Sequence, residues 1–354
     1  RACGRRFDFS IWLCRRLGKS VEVSVFSFAK KQQITMFLVL VFSLVLSFAT
    51  VSNQVNNLTF RFVKVHQGRE HAELMDGVAG DPWQYRVLAD YMLEPIINLF
   101  YKLDINRPEP SAFISFRFVQ NFLIFVVAFY FYRKLGLSSF ISFLGINILA
   151  WMMSQAIYYS DLAFSTYFDV LFYLLGAYLL LSDRFWGLLP LIFFAALNRE
   201  TSGVLILLLP VYVFVERKMG AKRKEAIITF FGMSVLYAVV FFGLRQYFDE
   251  QVFITAYDGY KLGKQVLYKN VVNWLSWQRM FMTAGIIPFL ALLAYPNWGR
   301  HLKIFFWTLV PIWGVVHFFA AVVSETRLFL VPLALVFIPA ALSGLSKDVV
   351  LNER

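Results

Sequence analysis

Two aspartates, Asp76 and Asp81, lie five residues apart in a stretch rich in glycine and proline, which predicts a tight, exposed loop. A carboxylate in such a loop can take the proton from an attacking hydroxyl, or hold a divalent cation against a phosphate leaving group. The alternative is that both are solvated loop acids, with Asp81 capping a helix that begins near Pro82. We treat Asp76 and Asp81 as candidate catalytic residues and leave a divalent metal open as a cofactor.

A polar triplet, Asn198-Arg199-Glu200, separates two short apolar runs. The planar guanidinium of Arg199 can bind a phosphate through two parallel hydrogen bonds. Glu200 can orient that guanidinium or accept a proton from a hydroxyl. The alternative is that Arg199 and Glu200 pair with each other and with other loops, which would only balance their charge.

Further charged residues stand at the ends of other apolar runs. Arg327 follows Glu325 at the start of the last run, and is either a phosphate ligand or an interfacial anchor. Asp161 lies in a very short turn, where an aspartate is more often a helix cap than a catalyst. Charge near hydrocarbon is costly, so ionisable residues that converge on one face of a bundle indicate a functional site. The candidate substrate-binding residues are Arg86, Asp161, Asn198, Arg199, Glu200, Glu325 and Arg327.

The composition predicts an all-α polytopic membrane protein. Of the 354 residues, 59% are apolar, 19% aromatic and only 16% charged, which is far from the balance of a soluble domain. We expect a transmembrane domain at 36–345, a basic arm at 1–35 and a cytoplasmic tail at 346–354. The net charge of +12 would suit nucleic acid, but the Lys and Arg flank apolar runs, where membrane lipids and insertion topology explain them. Nucleic acid is therefore not an expected partner.

The basic arm carries eight Lys or Arg and ends where Met36 opens a clean apolar run. One interpretation is a processed form, a fragment or a gene model extended upstream of its true start. The other is an amphipathic basic helix that lies on the inner leaflet. We assign the arm no chemistry.

About ten apolar segments follow, and most approach the roughly 20 residues that a helix needs to cross about 30 Å of hydrocarbon. They are 36–52, 112–132, 138–157, 162–182, 186–197, 203–215, 226–247, 275–295, 302–323 and 327–345. The short pair 186–197 and 203–215 is either one kinked span or two short helices. Two short helices with a cytoplasmic N-terminus place 20 of the 34 Lys and Arg on the cytoplasmic face, so the positive-inside rule favours them. The ionic breaks then lie on the extracytoplasmic side, in an expected plasma (inner) membrane.

Two outer loops are then long, 53–111 and 248–274. Apolar residues at helical spacing from Trp83 to Leu103 predict an amphipathic helix along the outer interface, with a break near Pro95. Tyrosines and tryptophans at 257–277 predict an interfacial aromatic belt. His66 and His71 share the first loop, which keeps a weak metal option open.

The order of these features resembles the GT-C superfamily of integral-membrane glycosyltransferases over residues 36 to about 345. The features are a first span, a long outer loop with an acidic motif and interfacial helix, an Ala-Leu-x-Arg-Glu break from Ala196 to Glu200, and a late Glu-x-Arg ending at Arg327. The resemblance implies transfer of a sugar from a polyprenyl-phosphate donor to a glycan, lipid or protein acceptor on the outer face. It further implies that Asp76 or Asp81 is the base or a metal ligand, and that the residues handling the donor phosphate or sugar are Arg199, Glu200 and Arg327.

Two other functional classes remain open at this stage. A transporter or flippase also uses charged residues around a cavity and discontinuous helices. Its mid-span polar candidates here are Arg117, Gln120, Asn121 and Asp169, fewer than an ion-coupled carrier would need. A non-catalytic assembly subunit could share the same scaffold. ATP-driven and serine-hydrolase chemistry lack residue support, because no glycine-rich phosphate loop and no nucleophile elbow occurs.

Overall fold

The computed structural model describes residues 9–157, 163–217, 220–249 and 262–351. Across these ranges the regular secondary structure is helical, without an extended strand. The main helices are α1 (Phe9–Leu58), α2 (Gly68–Met75), α3 (Leu88–Lys102), α4 (Pro108–Lys134), α5 (Ser139–Gln155), α6 (Phe164–Leu181), α7 (Leu188–Asn198), α8 (Gly203–Val215), α9 (Gly220–Phe248), α10 (Lys264–Val272), α11 (Trp274–Ala284), α12 (Ile287–Leu293), α13 (Arg300–Ala320) and α14 (Ile338–Leu351).

Six helical stretches in the described ranges are long and apolar enough to cross a membrane. They are Gln33–Leu58, Pro108–Lys134, Phe164–Leu181, Gly220–Phe248, Arg300–Ala320 and Thr326–Gly344. The all-α class and the polytopic membrane character are thus supported by length and composition. The helices α5, α7 and α8 are apolar but shorter, so the full set of about ten segments stays a prediction.

The chain divides into two compact units, residues 1–42 and residues 43–354. The described part of the first unit is helical throughout and belongs to α1. The second unit contains the end of α1 and every element after it. All the candidate site residues lie in this second unit.

The predicted outer loop at 53–111 contains short helices rather than irregular chain. A 3₁₀ turn at Trp83–Tyr85 precedes α3, which begins at Leu88 and continues through Pro95. The predicted start near Trp83 and the predicted break near Pro95 are therefore wrong. The predicted apolar stripe is only partly buried. Leu93 lies in the protein interior, whereas Met92 is 47% exposed.

The core is aromatic and lies where α4 packs against α6. Phe113, Phe125 and Phe129 on α4 are fully or almost fully buried. The guanidinium of Arg117 lies over the rings of Phe164 and Tyr167, at 4.5 and 5.0 Å from the ring centroids. A buried cation can thus be accommodated by aromatic faces within this core.

Helices α7 and α8 form a hairpin against the long helix α9. Leu189 of α7 packs at Gly232, while α8 begins with Gly203 beside Tyr237. The end of α8 then returns toward the start of α9, where Phe214 and Ile227 line one groove. The chain therefore reverses direction at residues 199–202, and two short helices are present, as the positive-inside rule favours.

The predicted segment 275–295 is not one helix. Helix α11 ends at Ala284, and α12 begins at Ile287 after Gly285, whose φ of +56° is a backbone conformation that glycine tolerates best. Apolar composition continues across this glycine, so a hydrophobicity pattern alone does not reveal the break.

Candidate functional site

Three arginines from separate segments line one small cavity. Arg86 follows the 3₁₀ turn before α3, Arg199 lies in the α7–α8 turn, and Arg327 lies in the turn that starts the last apolar stretch. We call this space, of about 80 Å³, the arginine cavity. Its complete lining is Pro82, Trp83, Arg86, Arg199, Leu262, Ala320, Ala321, Glu325, Arg327 and Leu328.

Arg199 is held in the cavity wall by the extended backbone of the break, with φ −167° and ψ 147°. Its side chain is only 7% exposed, and Nη1 donates to Asp169 Oδ2 and to Thr166 Oγ1, both at 3.3 Å. Its Nε has no hydrogen-bond partner among the described residues. An unsatisfied buried donor is costly, so this guanidinium has spare capacity for an acceptor in the cavity.

Asp169 fixes the α7–α8 turn from within α6. Its side chain is 1% exposed, and Oδ1 accepts a hydrogen bond from Asn198 Nδ2 at 2.9 Å. Oδ2 accepts from Thr201 Oγ1 at 3.1 Å as well as from Arg199. Asn198 also donates to the carbonyl oxygen of Ser165 at 2.8 Å, so its amide group positions the turn and does not line the arginine cavity.

From the sequence, Asp169 was identified only as a mid-span polar residue. Its ion pair with Arg199 was not predicted. About 30 residues separate the two in the chain, and no local spacing connects them. The available signal was the presence of a lone acid inside an apolar span, because such a charge needs a partner.

Glu200 pairs with Arg86 and not with Arg199. Arg86 Nη2 donates to Glu200 Oε2 at 3.1 Å, and Arg86 Nε donates to Glu200 Oε1 at 3.4 Å. Tyr237 adds a 2.7 Å hydrogen bond to the carbonyl oxygen of Glu200. The pairing of both charges with other elements, which the sequence left as an alternative, is therefore present, but the direct Arg199–Glu200 pair is absent.

Arg327 is held by its own motif. Its Nη2 donates to Glu325 Oε2 at 3.1 Å, and the Arg327 side chain is 6% exposed. Between these residues, the hydroxyl of Thr326 is hydrogen bonded to that of Thr283 at 2.7 Å. The Glu-x-Arg motif thus presents a positioned guanidinium to the cavity.

The structure separates the two candidate catalytic aspartates. Asp76 is exposed at the end of α2 and lines none of the cavities described here. Asp81 is half-buried, and burial raises its pKa, while Arg245 and Arg86 oppose that rise and Glu200 adds to it. Asp81 is not a cap of α3, because that helix begins seven residues later. Asp161 lies outside the described residues.

A larger cavity of about 350 Å³, the α2–α3 cavity, shares Trp83 and Arg86 with the arginine cavity. Gly80 lines the larger cavity and Pro82 the smaller, so Asp81 stands in the chain between them. The acidic residues that line the α2–α3 cavity are Glu70, Glu73 and Asp90.

His71 lies between two carboxylates in the wall of the α2–α3 cavity. Nδ1 is 2.9 Å from Asp90 Oδ1, and Nε2 is 3.0 Å from Glu94 Oε2. Burial works to lower the pKa of His71, but the hydrogen bonds and charges of Asp90 and Glu94 raise it above the ordinary value. His66 instead stacks on Phe62 at 4.6 Å, and the described residues contain no group of three or more His, Cys, Asp or Glu that could hold a metal. The metal option of the two histidines gains no geometric support.

An apolar cavity of about 230 Å³ lies on another side of the α7–α8 turn. Its lining is Glu200, Thr201, Gly203, Val204, Trp313, Val316 and His317. The turn therefore places Arg199 in the wall of the arginine cavity, and Glu200 and Thr201 in the wall of the apolar cavity. Such an arrangement suits a ligand with an anionic head and a hydrocarbon tail.

No known protein family, curated protein or solved structure matches this chain.

Proposed function

We propose that this protein is a membrane glycosyltransferase that moves a sugar from a polyprenyl-phosphate donor to an acceptor at the extracytoplasmic face. The observation that carries the proposal is the convergence of Arg86, Arg199 and Arg327 on one cavity beside Asp81. Guanidinium groups bind phosphate through directed hydrogen bonds, and charge buried near hydrocarbon indicates function.

The donor phosphate occupies the arginine cavity in this proposal. A volume of about 80 Å³ accommodates several water molecules, and hence a phosphate group, but not a sugar and a lipid together. Each arginine has a carboxylate partner, which fixes its guanidinium, and the Nε of Arg199 remains for phosphate. The first isoprene units of the donor lie in the apolar cavity beside Trp313 and Val316, where Val204 forms the opposing wall.

The acceptor occupies the α2–α3 cavity. Carboxylates of Glu70 and Asp90 are acceptors for sugar hydroxyls, and the Trp83 ring offers an apolar face. Because Trp83 and Arg86 belong to both cavities, an acceptor hydroxyl and a donor sugar would meet at this shared wall. Bringing two reactants together in this way removes a large part of the entropic barrier.

Asp81 acts as the general base. Its carboxylate takes the proton of the acceptor hydroxyl while the oxygen forms a bond to the anomeric carbon of the donor sugar. The bond from that carbon to the phosphate oxygen breaks, and the polyprenyl phosphate leaves with the electron pair. Arg199 and Arg327 stabilise the negative charge on the leaving phosphate. The raised pKa of Asp81 favours this role, because a stronger base accepts the proton more readily.

The test is sugar transfer from a labelled polyprenyl-phosphate sugar by purified protein, with Asp81→Asn and Asp76→Asn compared. We expect Asp81→Asn to lower turnover by about 10²- to 10⁴-fold, the usual contribution of a general base. Asp76→Asn is the matched control, since its side chain is exposed outside the cavities, and it should retain turnover. Unchanged turnover in Asp81→Asn would refute the base assignment, and no transfer from any polyprenyl-phosphate sugar would refute the proposed function.

A further inference from the structure

A largely apolar groove lies at the opposite end of α8 from Arg199. There, α8 and the start of α9 enclose a groove of about 450 Å³, which we call the α8–α9 groove. Its lining is Leu209, Pro210, Val213, Phe214, Arg217, Arg223, Ala226, Ile227, Phe230 and Phe231. Eight of these ten residues are apolar, and the two arginines follow α8 or stand in the first turn of α9.

Both arginine side chains are exposed, and within the described ranges neither guanidinium makes an ion pair or a hydrogen bond. Their neighbour Lys222 behaves differently, because its Nζ donates to Glu225 Oε2 at 2.9 Å and to the carbonyl oxygen of Asp183 at 2.8 Å. Arg217 and Arg223 thus bring two positive charges to an apolar groove without a protein carboxylate to balance them. Two unbalanced positive charges beside an apolar surface favour an anionic ligand at this position.

The rest of the groove lining is apolar and suits a hydrocarbon chain. Helix α9 is long and apolar enough to cross a membrane, and one of its faces is exposed at the groove and beyond. Phe231 is 62% exposed, Val235 61% and Val239 65%. In a bilayer this face contacts acyl chains, so an occupant of the groove is drawn from the lipid itself.

We infer that the α8–α9 groove is a binding site for one anionic phospholipid. The lipid phosphate binds Arg217 and Arg223, and one acyl chain packs between Pro210 and Phe231. Basic pockets between helices on the cytoplasmic side of membrane proteins suit anionic headgroups for the same electrostatic reason. This inference does not depend on the proposed sugar transfer, because the groove shares no residue with the arginine cavity.

Two features of the groove, its positive charge and its open volume, can be tested separately. Purified, delipidated protein is titrated with phosphatidylglycerol or phosphatidylcholine in detergent, and binding is read by native mass spectrometry and by the shift in melting temperature. We expect phosphatidylglycerol to bind at least tenfold more tightly than phosphatidylcholine, which is about 1.4 kcal/mol. Glycerol phosphate without acyl chains should not bind at the same concentrations.

The charge variant is Arg217→Gln/Arg223→Gln, and its matched control is Lys134→Gln/Lys224→Gln, which removes two exposed charges outside the groove lining. The volume variant is Val213→Trp, which fills the groove and keeps both arginines. We expect the charge and volume variants each to weaken phosphatidylglycerol binding tenfold or more, and the control to bind as the unsubstituted chain does.

Three results would overturn the inference. If the lysine control loses as much affinity as the arginine variant, the attraction is a property of the whole basic surface. If Val213→Trp keeps full affinity while folding normally, no acyl chain lies in the groove. Equal binding of phosphatidylglycerol and phosphatidylcholine would count against it in the same way.

Discussion

Asp169 is the residue on which the geometry of the site depends most. It is a buried acid that pairs with buried Arg199 and also accepts hydrogen bonds from Asn198 and Thr201. Removing one partner of a buried ion pair leaves an uncompensated charge, which is far more costly than removing both. The nearly isosteric substitution of Asp169 by asparagine therefore tests whether the Asp169–Arg199 pair is buried.

We predict that Asp169→Asn lowers the free energy of unfolding by about 3–5 kcal/mol, the cost of stranding the charge of Arg199. The double variant Asp169→Asn/Arg199→Gln should recover part of that loss, because no buried charge is then unpaired. Thr166→Val is the control, since it removes only one 3.3 Å hydrogen bond from the same guanidinium. Denaturation in detergent of these three variants, of Arg199→Gln and of the unsubstituted protein measures the differences, and strictly additive losses of the two single variants would contradict the prediction.

His71 gives the α2–α3 contact a pH dependence. Its pKa in the folded protein is raised above the ordinary value of 6.5 by Asp90 and Glu94. A raised pKa means that the folded state holds the proton more tightly than the unfolded state, so the stabilisation is complete below about pH 6.5 and is lost as pH rises through the folded value. The other charged residues beside His71 in the cavity wall are Arg69, Glu70, Glu73 and Arg86.

We therefore expect proteolysis within residues 68–102 to accelerate as pH rises from about 6 to about 9, because the histidine becomes neutral between its two carboxylates. His71→Gln should remove most of this pH dependence, and His66→Gln, which alters an exposed histidine stacked on Phe62, should retain it. Limited proteolysis at constant protease activity, followed by mass spectrometry, measures the rates. An identical pH profile in His71→Gln and the unsubstituted protein would refute the assignment.

At the scale of elements, sequence patterns located the helices better than they located the breaks. The α7–α8 hairpin could be predicted because the basic residues at 217–224 constrain the number of crossings. The division between α11 and α12 could not, since the apolar pattern continues across Gly285 and only its positive φ ends the helix. The start of α3 was also missed, because the 3₁₀ turn Trp83–Tyr85 has the composition of a first helical turn.

Only part of the site could be predicted from the sequence. Polar residues that interrupt apolar runs, such as Arg199 and Arg327, were visible as expensive charges. The pairing of Arg199 with Asp169 and of Glu200 with Arg86 was not visible, because packing brings these partners together from distant segments. Asp76 and Asp81 could not be distinguished by type or spacing, and only the exposure of Asp76 separates them.

The glycine between α11 and α12 provides a test at this scale. At Gly285, φ is +56° and no atom lies within 4 Å of an added Cβ, so a substitution would be opposed by backbone conformation and not by collision. We expect Gly285→Ala to lower the free energy of unfolding by about 1–3 kcal/mol. Gly314→Ala in α13 is the control, as its Cβ also meets open space and alanine favours the helix by up to about 1 kcal/mol. Equal effects at both positions in thermal unfolding would contradict the described break.

At the scale of the whole molecule, the lining of the described cavities favours the proposed enzyme over a carrier. The buried polar residues of α4 do not line any of the cavities described above: Gln120 Nε2 donates to the carbonyl oxygen of Phe164 at 3.0 Å, and Arg117 is covered by aromatic rings. A carrier needs polar groups along a path through the bilayer. Among the described residues, the ion pairs Arg199–Asp169, Arg86–Glu200 and Arg327–Glu325 instead lie near the α7–α8 turn, an arrangement that favours a site open to one side.

The central claim is that Arg86, Arg199 and Arg327 form one site for the phosphate of a polyprenyl lipid. The most direct measurement is the binding of polyprenyl phosphate to purified protein by native mass spectrometry, with Arg199→Gln and Arg327→Gln compared with the double variant Lys134→Gln/Lys224→Gln, all in excess phosphatidylglycerol to fill the α8–α9 groove. We predict that each of the first two variants binds at least tenfold more weakly, since a charge-assisted hydrogen bond contributes about 1.5–3 kcal/mol, while the double variant binds normally. Full affinity in Arg199→Gln and Arg327→Gln, or its loss only in the double variant, would contradict the account.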